Sequence, residues 1–188
     1  MEIKNKLESL AIIKRLNLNV LPEVFLSNFS EKIINDFLDK YTAEYYAVRD
    51  KEKAMSKKHC LNVKKEDVVT YCKENNLSIF TINVSSYNYR ANQVLCGEIC
   101  LHKNLTLDYI LSNNSNFSVR DAYSFPDFVG SNEYFESPNL NKIDGLDYII
   151  DYIFKYNLFN IIVEFTTFDS KIGKNKENVI IWELRTSY

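Results

Sequence analysis

A chain of 188 residues, 46% of them hydrophobic, can bury a sizeable core, enough for one compact domain of one or two small lobes. Lys and Arg number 23 against 25 Asp and Glu, a net charge of −2, which excludes nucleic-acid binding driven by bulk charge. No apolar run approaches the roughly 20 residues of a membrane span, the N-terminus lacks a secretory apolar core, and four cysteines (Cys60, Cys72, Cys96, Cys100) are too sparse for a disulfide scaffold, so a cytoplasmic protein with reduced thiols and no membrane partner is expected.

In chain order, residues 3–16 predict a helix with Ile3, Leu7, Leu10 and Ile13 or Ala11 on one side. Residues 20–25 are extended, because the residue before Pro22 avoids the helical region. Ser30 is an N-cap signal for a helix over 31–40, with Ile33, Ile34, Phe37 and Leu38 as its apolar stripe. A strand over 45–48 is expected to stop at Arg49-Asp50, with a charged loop over 49–58. A short strand (60–63), a helix (65–75) and strands over 78–85 and 93–102 follow, then a turn at 113–116. Residues 124–142 carry two of the three prolines and little periodicity, which predicts a long loop serving as lid or partner surface. Asp144 caps a helix over 145–156, with Leu146, Ile149, Ile150, Ile153 and Phe154 inward. Two apolar strands, 160–168 and 178–188, joined by a polar turn over 169–176, close the chain. The pattern is α+β: a mixed or mostly antiparallel sheet, flanking helices and a C-terminal β-hairpin.

Each strand of that hairpin carries a carboxylate that packing does not explain. Glu164 lies within Ile161-Ile162-Val163-Glu164-Phe165, and Glu183 within Ile180-Ile181-Trp182-Glu183-Leu184-Arg185. A carboxylate in an apolar strand is costly unless paired or bound to a metal, and two on neighbouring strands can face each other. Cys96, Cys100 and His102 would share a face of one strand, but their spacing is not a zinc pattern and buried free cysteine is common. The chain has five arginines, and Arg49, Arg120 and Arg185 stand at or just past the ends of apolar segments. A guanidinium fork suits phosphate, and equally suits a structural carboxylate pair.

The order of these motifs resembles the nucleotide-binding ATP-grasp region of phosphoenolpyruvate synthase and pyruvate phosphate dikinase. Lys6-Leu7-Glu8-Ser9-Leu10 and Val20-Leu21-Pro22 are similar to its opening, Ala47-Val48-Arg49-Asp50 to its Ala-Val-Arg-Ser strand, and Phe80-Thr81-Ile82-Asn83 to its Phe-Thr segment. Gly97-Glu98 resembles its Gly-Glu strand, and Val163-Glu164-Phe165 with Glu183-Leu184-Arg185 its terminal hairpin. The chain departs from the family at Lys4-Asn5 in place of Gly-Gly, Asp50 in place of Ser, Glu183 in place of Gln and Thr186 in place of Pro. It is also much shorter, and neither His59 nor His102 sits in a context similar to the phosphohistidine motif.

The resemblance implies an ATP-grasp-like fold with ATP and Mg2+ as cofactors. It implies Lys6, Arg49, Arg185 and Glu98 at the nucleotide, and Glu164 and Glu183 on the metal. Arg49, Arg185 and Arg120 are then the candidate catalytic cations, with Arg120 and Arg90 available to a second substrate. The expected partners are a nucleotide and an unidentified acceptor or protein. The expected activity is Mg–ATP-dependent phosphoryl transfer or ligation. The alternatives are a degenerate module that binds nucleotide or partner without chemistry, and a metal-dependent nuclease, which the lack of a compact Asp…Glu-x-Lys arrangement disfavours.

Overall fold

The computed structural model describes residues 2–3, 6–51, 59–114, 125–133, 146–169 and 179–186. In chain order its elements are α1 (Lys6–Arg15), β1 (Glu23–Leu26), α2 (Glu31–Lys40), β2 (Tyr45–Asp50), β3 (His59–Lys64), α3 (Val68–Glu74), β4 (Phe80–Val84), β5 (Gln93–Leu101), β6 (Thr106–Ser112), β7 (Phe128–Glu133), α4 (Leu146–Tyr156), β8 (Ile161–Phe168) and β9 (Val179–Thr186). They form two compact units, Leu21–Ala91 in one and Met1–Val20 with Asn92–Tyr188 in the other. Among the described residues no helix is long and apolar enough to cross a membrane.

The unit Leu21–Ala91 is a four-stranded antiparallel sheet in the order β1-β4-β2-β3. Its core joins Leu26, Tyr46, Val48, Val63, Phe80, Ile82 and Val84 of the strands to Ile34, Phe37 and Leu38 of α2 and Val68 and Cys72 of α3. Ser30 caps α2 as its sequence predicts, accepting a hydrogen bond from the Ile33 amide. Ile33 itself points outward, 47% exposed, one step off the inward stripe. Burial pushes the Cys72 thiol up to about 12, so it packs as an inert hydrophobe.

The other unit is a five-stranded antiparallel sheet in the order β7-β6-β5-β8-β9. Alternate residues (Leu95, Ile99 and Leu101 of β5, Leu107 and Leu111 of β6, Ile161, Val163 and Phe165 of β8, Val179, Ile181 and Leu184 of β9) form one apolar face. Ile13 of α1 and Leu146, Ile149, Ile150 and Ile153 of α4 belong to the same core. The outer edge of β9 is covered by the N-terminal segment. Thr186 Oγ1 accepts from the Ile3 amide at 2.7 Å, the Leu184 amide donates to Ser9 Oγ at 2.7 Å, and Asn19 meets the backbone of Val179 and Ile181. An edge strand left open would template pairing with other chains. Gly97, at φ +149°, has no Cβ to overlap the Ile110 carbonyl oxygen on β6.

Several expectations need correction. The strand over 45–48 continues through Arg49 and Asp50, because both pair with β4. The expected loop over 124–142 contains β7, whose polar Phe-Val-Gly-Ser-Asn-Glu sequence has weak strand propensity and is held by pairing to β6. The rest of that stretch, apart from residues 125–127, lies outside the described residues. The helix over 65–75 is a 3-10 turn followed by α3. Phe154 of α4 is 45% exposed and packs edge-on against Phe159. Strand β6 is an element that the sequence reading passes over.

The β5–β6 hairpin is pinned by His102. Its Nε2 lies 2.6 Å from Asp108 Oδ2 and its Nδ1 3.1 Å from Asn160 Oδ1, while Ser131 Oγ donates to Asp108 Oδ1 at 2.5 Å. Cys96 Sγ is directed at the Ser112 and Asn114 carbonyls, and its thiol is pushed up to about 11 by burial. The bond to Asp108 raises the His102 pKa; Ser131 and then His102 lower that of Asp108.

Two outcomes follow from this packing. Ile149→Ala should cost about 2–5 kcal/mol in urea unfolding, because Ile149 is fully buried, whereas Phe154→Ala should cost under about 1 kcal/mol. A raised histidine pKa contributes stability that is complete below its unfolded value of about 6.5 and is lost as pH rises through the folded value. The wild-type melting temperature should therefore fall as pH rises above about 6.5, and His102→Gln should flatten that slope.

Candidate functional site

The five-stranded sheet has a second face, on which charged side chains stand among apolar ones. Directly opposite residues of antiparallel strands share a face, and the register places Glu98 of β5 opposite Glu164 of β8, and Glu164 opposite Glu183 of β9. The three carboxylates thus form one row across three adjacent strands. A second row runs Asp108, Cys100, Ile162, Arg185, and a third Ser112, Cys96, Thr166, Ile180.

A β-bulge puts Glu183 in this row. Register shifts between Glu164 and Phe165: Phe165 pairs with Ile181 and Glu164 with Glu183, so Trp182 is the extra residue. Without it Glu183 would stand opposite Val163 on the core face, and Leu184 on the polar one. The Trp182 indole Nε1 donates to Thr166 Oγ1 at 2.8 Å, fixing the bulge to β8. The sequence signal is the break in alternation: Val179 and Ile181 are inward, and the next inward residue is Leu184 rather than 183. Trp182 is the residue that the sequence reading missed.

Arg185 of β9 forms an ion pair with Glu98 of β5. The two strands flank β8, so the Arg185 side chain crosses β8 on the face that carries Glu164. Glu98 is 9% exposed in its side chain and Arg185 34%. Arg185 Nε is buried with no hydrogen-bond acceptor among the described residues. Two residues expected separately at a nucleotide therefore hold each other.

The fit to a magnesium ion rests on the donor set. Glu164 and Glu183 are hard oxygen donors in direct opposition, and opposed carboxylates repel unless a cation or proton lies between them. Mg2+ takes one or two protein carboxylates and completes its shell with water and phosphate. Among the described residues no three His, Cys, Asp or Glu side chains converge as a ready-made cage. A two-carboxylate arrangement suits Mg2+ without one.

The other candidates are placed as follows. In the four-stranded unit, Arg49 Nη1 donates to Asn83 Oδ1 at 2.8 Å, and Asn83 Nδ2 donates to the Val84 carbonyl. Burial lowers the Arg49 pKa, and the Glu23 charge opposes that shift. Arg49 shares a register row with Thr81, whose buried Oγ1 has no partner among the described residues. Asn83, a buried amide in an apolar strand, was a readable signal for this arginine's seat. Lys6 begins α1, but its side chain and the Arg90 side chain lie outside the described residues, as does Arg120.

No protein-family model matches the chain, and no curated protein matches it in sequence. Solved structures do match it. The D-alanine-D-alanine ligase from Coxiella burnetii is 13% identical, with a TM-score of 0.53, over 96% of this chain and 47% of that one. The macrocyclase MdnC from Microcystis aeruginosa MRC, bound with precursor peptide MdnA, is 13% identical at a TM-score of 0.51, over 96% and 51%. The ADP complex of PurK, N5-carboxyaminoimidazole ribonucleotide synthetase, is 10% identical at 0.52, over 97% and 44%. The chain thus spans about half the length of these structures. The likeness runs to ATP-grasp enzymes in general, not to phosphoenolpyruvate synthase or pyruvate phosphate dikinase in particular. With its antiparallel sheets and flanking helices, this chain has the ATP-grasp fold.

Proposed function

We propose that this chain binds Mg–ATP on the polar face of its five-stranded sheet and uses it in ligation or phosphoryl transfer to an acceptor. The observation that carries the reading is the register opposition of Glu164 and Glu183. In this reading the two glutamates hold the metal, and Arg185 supplies a guanidinium for phosphate oxygens. A divalent cation held there would offset phosphate charge, which is the larger part of what phosphoryl-transfer catalysis requires. The chain's own residues bind and orient: the Trp182 bulge aims Glu183, and Glu98 fixes the approach of Arg185.

Lys6 and Arg49 as phosphate contacts and Arg120 as an acceptor contact rest on the motif resemblance. So does a phosphotransfer of the phosphoenolpyruvate synthase kind. Solved neighbours that are named ligases and a macrocyclase favour ligation over that alternative. A second reading, binding without chemistry, draws on the Glu98–Arg185 ion pair, which already neutralises the candidate phosphate-binding cation.

A ligand at about 100 times its dissociation constant stabilises the native state by about 2.7 kcal/mol. That corresponds to a rise of roughly 5–10 °C in melting temperature for a chain of this size. Mg–ATP should produce it, and ATP with EDTA should not. An unchanged melting temperature at saturating Mg–ATP would remove the nucleotide reading. Glu164→Gln should weaken Mg2+-dependent ATP affinity at least about tenfold, or about 1.4 kcal/mol, in calorimetric titration with the fold intact. Glu183→Gln should be milder, since an amide oxygen remains a ligand. Full ATP affinity in Glu164→Gln with altered stability would make Glu164 a structural residue. Turnover of ATP with a panel of amino-acid and peptide acceptors separates ligation from binding alone.

A further inference from the structure

Strand β7 is weakly built. Every residue but Gly130 is exposed, and Gly130 and Asn132 have low strand propensity. A segment with so little burial opens at a small fraction of the global free energy. Its ladder to β6 runs from Phe128 opposite Leu111 to Glu133 opposite Thr106, and two side-chain bonds add to it. On one face the Asn132 amide donates to the Tyr109 hydroxyl at 2.9 Å, and the Tyr109 ring occupies the space that a side chain at Gly130 would need. On the other face Ser131 Oγ donates to Asp108 Oδ1 at 2.5 Å.

Asp108 serves two partners at once. Its second oxygen, Oδ2, lies 2.6 Å from His102 Nε2, and the other ring nitrogen, Nδ1, lies 3.1 Å from Asn160 Oδ1 at the entry to β8. Both ring nitrogens thus face oxygen. Only the imidazolium has two N–H donors; a neutral ring serves one acceptor and turns a lone pair towards the other. The cluster is therefore complete when His102 is charged, and the upward shift of its pKa, caused most by the bond to Asp108, agrees with that geometry. The other groups around the ring come from each neighbouring strand. Asp108 stands opposite Cys100 of β5 and Ser131 of β7, and Glu133 of β7 lies two positions along the same face. Lys103 follows His102 in the exposed turn, and Arg185 ends the Asp108 row on β9, where Glu98 holds it. Among the described residues Asp108 is the charge that acts on His102, and His102 the charge that acts on Asp108.

We infer that His102 is a proton-controlled clasp for the edge strand β7: its imidazolium fixes Asp108 in the position that receives Ser131, so that one proton fastens the strand to the sheet and its loss loosens it. The two events are linked in both directions. A charged His102 favours the seated strand, and a seated strand, by covering Asp108 and holding its second oxygen, favours the charged His102. None of these residues is a proposed metal or phosphate ligand, so the clasp stands apart from the nucleotide reading.

The test is amide hydrogen exchange of the full chain without nucleotide, at about pH 5.5 and about pH 8, on either side of the His102 titration. Rates are expressed as protection factors, which removes the intrinsic base catalysis of exchange. In wild type the protection of Val129–Glu133 should fall roughly two- to fivefold from the lower to the higher pH, the range of a partly exposed ion pair. His102→Gln cannot titrate and should abolish that fall. Ser131→Ala, at an exposed position, keeps the His102–Asp108 pair but cuts its link to β7. Its β7 protection should be low and independent of pH, while its melting temperature still declines with pH. By reciprocity, the His102 pKa read from the imidazole proton resonances should be lower in Ser131→Ala than in wild type. The clasp is overturned if β7 protection in wild type is the same at both pH values, or if His102→Gln shows the same fall as wild type. It is equally overturned if Ser131→Ala leaves both the β7 response and the His102 pKa at their wild-type values.

Discussion

Trp182 stands in the β8–β9 ladder with no partner of its own, and this extra residue sets the facing of every side chain after it. Upstream, Val179 and Ile181 point into the core; downstream, Leu184 does, while Glu183 and Arg185 turn to the polar face. An unbulged strand would drive a carboxylate and a guanidinium among Val163, Phe165 and the helices, at a cost of several kcal/mol for each unpaired charge. The same strand would expose Leu184. One inserted residue thus separates a core face from a charged face in a single strand, and bulges recur beside functional sites for this reason.

The two faces support each other. On the core side, α1 and α4 fill the sheet with Ile13, Ile149 and Ile153, all fully buried, and this packing holds the strand spacing fixed. On the polar side, Glu98 at 7% residue exposure is paired with Arg185, which offsets the cost of burying its charge. Gly97, immediately before Glu98, lets β6 approach more closely than a side chain there would allow. Substituting it would shift the carboxylate row along with the backbone that carries it.

Much of this was legible in the sequence. The terminal hairpin, the two carboxylates on opposed strands, the Ser30 cap and the inward stripe of α4 up to Ile153 follow from local periodicity and capping chemistry. What escaped depends on partners distant in the chain. Strand β7 is Gly- and Asn-containing and almost wholly exposed, and only its ladder to β6 makes it a strand. In β6, Ile110 lies on the charged face beside Glu98 and spoils the alternation of Leu107, Tyr109 and Leu111. Arg49 read as a strand end because the next stretch is charged, yet Thr81 and Phe80 of β4 pair with Arg49 and Asp50 and prolong the strand. The ion pair between Glu98 and Arg185 crosses an intervening strand, so no local pattern predicts it.

The cover over the β9 edge has a kinetic consequence. Ser9 and Asn19 bond to residues made 175 and 160 positions later. During synthesis at about 5–20 residues per second, α1 therefore waits many seconds for the strand it lies against. The intervening stretch Leu21–Ala91 closes its own sheet from contiguous residues and can fold meanwhile. Loop-closure entropy for so remote a pairing is recovered only when β9 docks, which slows the final step and favours a late, concerted closure of the five-stranded unit. Until then Ile13 of α1 lacks the sheet core against which it is buried in the finished unit.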